Sequence, residues 1–227
     1  MSLTVDRARR LGGLAGIMFV VIAIVAFVLP GTPPKADEVA KISTFFADKH
    51  DQILASNYAL GLAFMFFLIF AGALRTHLGA ASGDGLRPGA VLLGSAAAAV
   101  ALVVAGAAVL NGAVFHVAGT TPDANLERAL YYVSSDLFLA SGFAFAAFFV
   151  GAAMAISSTA VLPRALSPAA LVLAVLNLVG PIGLFAETGF FAIGGAFGFV
   201  VPVASMLWVL AASVAMVRGR AAPAAAS

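Results

Sequence analysis

The chain has 227 residues, of which 63% are hydrophobic and only 10% charged, against about 25% charged in a soluble domain. Its mean hydropathy is +1.09 and its formal net charge +2, which together exclude a soluble globular fold. The basic residues flank apolar stretches instead of forming a patch, so nucleic acid is not expected as a partner. With no cysteine, the chain has no disulfide, thiolate metal site or Cys nucleophile.

Six apolar stretches are each long enough, at about 20 residues, to cross a hydrocarbon core of about 30 Å. The first, about Leu11–Leu29, follows the basic "DRARR". It is longer than the apolar region of a signal peptide and lacks a small-x-small cleavage site, so it reads as a retained helix. After it, "PGTPPKADEVAKISTFFADKHDQ" forms the longest connection. Val39, Ile42, Phe45 and Phe46 recur there at helical spacing among polar residues, which predicts a short amphipathic interfacial helix over about 36–50.

The later spans are expected near Ser56–Leu74, Ala90–Phe115, Leu137–Ile156, Pro168–Ala186 and Gly195–Val217. Asp123 is placed to cap the helix of the fourth span, with Glu127 in its first turns. Pro181 beside Gly180 and Gly183, and Pro202, are expected to interrupt the last two spans. The fold class is thus all-α, a single bundle over 1–217 with a disordered tail at 218–227.

With six spans, Arg7, Arg9, Arg10, Arg75, Arg87, Arg164, Arg218 and Arg220 fall on one side. Lys35, Lys41, Lys49 and Arg128 fall on the other, so the bias puts both termini in the cytoplasm of a plasma-membrane protein. Glycines at four-residue spacing, Gly12 with Gly16 and Gly194 with Gly198, permit close helix packing, either within the chain or in a homo-oligomer or larger membrane complex.

Polar residues gather at the outer ends of the spans. In "YYVSSDLFLASGFAFAAFFVGAAMAI" the uncharged run Leu137–Ile156 spans the bilayer by itself, which leaves Asp136 at the outer boundary. Tyr132 and Arg128 lie one and two turns earlier on the same face. His50, Asp51 and Asn57 begin the second span, Asn111 and His116 end the third, and Glu187 ends the fifth. If these side chains face inward they line a pocket beneath the interfacial helix, with Asp136 and Glu187 as candidate catalytic acids. His116, Asn111, Tyr132, Asn57 and His50 are then the candidate substrate-binding groups.

Each of these residues also has a plain structural reading. Asp136 would pair with Arg128 or a tyrosine hydroxyl, and Glu187 would be a solvated loop acid. His116 and His50 would be helix-end and loop histidines, and the two asparagines interhelical links. No Gly-rich phosphate loop, H-E-x-x-H or G-x-S-x-G motif occurs, and the His and acid spacing matches no metal pattern. No metal or cofactor is expected. Asn177 is the only strongly polar side chain near a span centre, which argues against an ion pump or channel.

The run "RLGGLAGI" followed by "ADEVAKISTFFADKHDQILASNYALGLAFMFFLIFAGALRTHL" resembles small six-span integral membrane proteins of actinobacteria, over most of the chain. That resemblance implies a fold and a source. Length and layout are also loosely similar to small membrane-integrated terpene cyclases, which implies carboxylic acids that protonate an isoprenoid alkene or epoxide. Three classes of function follow. One is an acid–base enzyme acting on a hydrophobic, lipid-like or isoprenoid substrate at the outer boundary. The others are a carrier of lipid or another hydrophobic small molecule, and an accessory scaffold subunit. Membrane lipids are partners in all three.

Overall fold

A computed structural model describes residues 2–34, 39–82, 87–119, 123–159, 161–186, 189–191 and 195–219. Among them are seven α-helices and no strand: α1 Ser2–Val28, α2 Val39–Asp48, α3 His50–Ser82, α4 Arg87–Gly119, α5 Ala124–Ser157, α6 Leu166–Val179 and α7 Phe197–Arg218. A 3₁₀ segment, Gly180–Phe185, extends α6. Six of these units are long and apolar enough to cross a membrane, so the chain is a multi-pass membrane protein. Their outward faces, such as Val21, Ile24 and Val25 on α1 and Leu171, Val172 and Val175 on α6, are exposed apolar surface that suits lipid.

The spanning helices form a closed ring in which each touches its chain neighbours and α7 returns to α1. The ring is filled by aromatic side chains. Phe67 on α3 stands at its hub, 5.1 Å between ring centroids from Phe19 on α1 and 5.2 Å from Phe148 on α5. Phe149 meets Trp208 of α7 edge-on at 5.3 Å. The phenylalanines that composition offers for a greasy cavity are, in this part of the ring, spent on one another.

Between apolar helices in lipid there is little hydrophobic drive, so close packing and hydrogen bonds must hold the ring. Every seam carries such a bond. Ser56 donates to the Ala26 carbonyl between α3 and α1 at 2.7 Å, and Asn57 to Asn111 Oδ1 between α3 and α4 at 2.6 Å. Ser134 donates to Gly106 between α5 and α4, and Ser167 to Ala153 between α6 and α5. Trp208 Nε1 donates to Leu166 at 2.9 Å, and Asn177, expected alone near a span centre, donates to Leu173 and to Ser205 of α7. Buried Arg9 closes the ring by donating from Nη1 to the Met216 carbonyl in the last turn of α7, one of the four carbonyls a helix end leaves free.

Small residues set the closest approach. A Cβ at Gly12 would overlap the Ala73 methyl, and one at Gly16 would overlap Ser213 Oγ and stand 2.7 Å from Phe70. These glycines serve packing within the chain. Gly194 lies outside the described residues, and a Cβ at Gly198 meets nothing within 4 Å.

The two expected breaks have different outcomes. At Pro181 the α-helix gives way to the 3₁₀ segment. Pro202 stays inside α7, because six residues into the helix it forfeits only one backbone bond, to the carbonyl of Gly198. The tail expected from 218 lies, from residue 220 on, outside the described residues.

Gly16→Val should lower stability by about 1–3 kcal/mol, the range for overpacking a close contact. Gly198→Val, in open space, should change it little. Thermal unfolding of the two variants in the same detergent provides the comparison.

Candidate functional site

The end of the bundle opposite the termini gathers the polar residues. The helix expected over about 36–50 is α2, Val39–Asp48, which a bend at Lys49 joins to α3. Its apolar face is buried: Ile42 and Phe46 pack with Ile53 of α3, Ala113 and Val114 of α4 and Tyr131 of α5. Phe46 and Tyr131 meet edge-on at 6.1 Å, and the Tyr131 hydroxyl donates to the Pro34 carbonyl at 2.8 Å. This helix therefore covers the α4–α5 seam as a lid.

Beneath the lid lies Glu127. Asp123 caps α5 by accepting from the amides of Asn125 and Leu126, and Glu127 follows one turn later. Its side chain is wholly buried, and Ser43 of α2 donates a hydrogen bond to Oε2. The other oxygen, Oε1, is buried without a partner among the described residues. Glu127 and Tyr131 are spaced i, i+4 on one face of α5, so the lid rests on a carboxyl and a phenol. The expectation placed Glu127 in a capping turn only. Its spacing to Tyr131 and the lone Ser43 beside Ile42 were the available signals, but the burial depends on α2 folding back.

The candidate residues divide as follows. Asn57 and Asn111 meet directly, and Asn57 also reaches the Ala107 carbonyl at 3.4 Å, so the structural reading of this pair is the observed one. His50 Nδ1 lies 2.9 Å from Asp51, its ring meets Phe115 edge-on at 5.7 Å, and its Nε2 is buried without a partner among the described residues. His116 is half-buried in the last turns of α4. Arg128 places its guanidinium 5.4 Å from the centre of the Tyr132 ring, a cation–π contact, and forms no ion pair with Asp136.

Asp136 is exposed and makes no hydrogen bond with a described residue. Twenty-one residues separate it from Ser157 at the end of α5, a rise of about 32 Å that matches a hydrocarbon core of about 30 Å. Glu127 lies nine residues further out, a further rise of about 14 Å beyond that boundary. Glu187 lies outside the described residues. Among the described residues, no group of three or more His, Asp or Glu side chains is placed to hold a metal ion.

Compared with protein-family models, curated proteins and solved structures, the chain matches none of them. The two resemblances therefore rest on the residues and layout that suggested them.

Replacing Ser43 by Ala should leave both Glu127 oxygens unpartnered and lower stability by about 1–3 kcal/mol. Adding Glu127→Leu in the same chain should recover most of that loss, because no buried polar atom is then left. Chemical or thermal unfolding of the single and double variants measures the coupling.

Proposed function

We propose that this protein binds an amphiphilic, lipid-like molecule at the α2 end of its bundle, with α2 as the lid and Glu127 as the group that meets the molecule's polar end. The observation that carries the reading is Glu127 Oε1, a carboxyl oxygen enclosed by protein with no donor beside it among the described residues. Such an atom costs stability, and an unsatisfied buried group in a native protein calls for a physical reason such as an ordered water, a ligand or a catalytic role. A hydroxyl or ammonium group held outside the hydrocarbon would supply the missing donor. The apolar remainder of the molecule would run toward the hydrocarbon along α5, past the residues the lid covers.

Acid–base catalysis on a hydrophobic or isoprenoid substrate is the second reading, and the same atom favours it. A carboxyl with one oxygen engaged by Ser43 and the other free can transfer a proton at Oε1. Asp136 and Glu187 are the further acids of that boundary in this reading.

We place the protein in the cell membrane with both termini in the cytoplasm. The support is the cluster of Arg9, Arg10, Arg75, Arg164 and Arg218 at the termini end of the helices.

Mass spectrometry of protein purified in mild detergent tests the binding reading. An amphiphile should accompany the wild-type chain and Asp136→Asn and be depleted severalfold in Glu127→Leu. Retention in Glu127→Leu, or none on the wild type, defeats it. If the molecule is also a substrate, Glu127→Gln should keep it bound while turnover falls by about 10²-fold or more, the usual contribution of a general acid.

Because the chain has no cysteine, single cysteines report its orientation. Asn125→Cys should react with an impermeant reagent on intact cells, and Pro163→Cys only after permeabilisation. The opposite pattern inverts the assignment.

A further inference from the structure

The termini end of the bundle carries a second site, independent of Glu127. A cleft of about 400 Å³ opens where α5 ends and α6 begins, lined by Ser157, Ser158, Thr159, Arg164, Ser167 and Pro168, among others. That volume falls within the roughly 300–1,000 Å³ of small-molecule sites. Two spanning segments meet here at their ends, Asn125–Ser157 and Leu166–Phe185, so the cleft lies at the level of lipid headgroups.

The hydrogen bonds in the cleft restrict what it can hold. Ser157 donates to the Met154 carbonyl at 2.9 Å, and Ser158 and Thr159 both donate to Ala155 at 3.0 Å. Ser167 donates to Ala153 at 3.0 Å. All four hydroxyl protons are thus engaged by backbone, and the oxygens are left with lone pairs to offer. They can accept hydrogen bonds but have no proton free to give an anion. Arg164 is the complement: exposed, always charged, and in no ion pair with a described acid, it offers only donors.

A ligand that satisfies both halves carries an anion for Arg164 and hydrogen-bond donors for the hydroxyl oxygens. We infer that the α5–α6 cleft binds a phospholipid whose headgroup joins a phosphodiester to donor groups, as in phosphatidylethanolamine or phosphatidylglycerol. The phosphate sits on the Arg164 guanidinium, which suits its geometry, and the ammonium or glycerol hydroxyls reach the Ser and Thr oxygens. Phosphatidylcholine offers the same phosphate but no donor. The lipid chains lie against the exposed apolar face of α6 at Leu171 and Val172.

The test is reconstitution of the full chain in nanodiscs holding equal amounts of phosphatidylethanolamine, phosphatidylglycerol and phosphatidylcholine with identical chains. Gentle extraction and native mass spectrometry then read the lipids retained. The first two should be retained about tenfold or more over phosphatidylcholine, the scale of one hydrogen bond to a charged group. Arg164→Gln should abolish retention of both, and Arg164→Lys, which keeps the charge, should restore part of it. Ser158→Ala with Ser167→Ala should bring both lipids down toward the phosphatidylcholine level.

Equal retention of phosphatidylcholine by the wild type, or unchanged retention of the other two lipids in Arg164→Gln, overturns the assignment. Displacement of the retained lipid by inorganic phosphate overturns it as well, since the site would then belong to a free anion.

Discussion

At least one hydrogen bond crosses each seam of the ring. Six apolar helices in lipid gain little from hiding apolar surface from one another, since the hydrocarbon outside is as apolar as the neighbouring helix. What distinguishes one arrangement from another is close packing and a few directional bonds. Here Ser56, Asn57, Ser134, Ser167, Asn177 and Trp208 each bond to the helix next to their own. Interhelical bonds of this kind average about 0.6 kcal/mol, so no single one holds the fold. Spread around a closed ring, they specify which helix lies beside which. Gly12 and Gly16 add to this by letting α1 press onto α3 and α7 more closely than any larger residue would allow.

The same logic marks what is unusual. Buried polar atoms left without a partner among the described residues are Arg9 Nε, His50 Nε2, Glu127 Oε1 and Ser213 Oγ. Two of them have a ready structural context. Arg9 already bonds through Nη1 to Met216 and lies near Asp6, and Ser213 is pressed against Gly16. Glu127 is different, because it is the acid among the four and is covered by a short helix that is not one of the spanning helices of the ring. A buried carboxyl beneath a ten-residue lid is the feature on which the proposed binding of an amphiphile rests.

The two ends of the bundle offer opposite chemistries. At the α2 end an acceptor awaits a donor within an enclosed seam. At the termini end an exposed guanidinium stands beside hydroxyl oxygens whose protons are already engaged. The two lie at opposite ends of a ring filled by Phe67 and its neighbours.

Several features could be read directly from the residues. Spans of about 20 apolar residues can only be helices in a bilayer, because every backbone polar group there must bond within its own segment. Ile42 and Phe46 announced an amphipathic helix by their spacing, and Asp123 announced a cap by its position. Asp136 could be set at the boundary by counting from the end of its span. The sequence by itself thus determined the class, the number of spans and the place of each polar residue along its helix, since hydrophobic length and helical rise are local properties. Only the tertiary structure decided where those residues face. Asp136, prominent along the chain, is exposed on α5, whereas Glu127, which looked like a helix-start residue, is sealed beneath α2. Depth follows from rise along one helix, but burial depends on which other helix packs against it, and no count along a single segment contains that information.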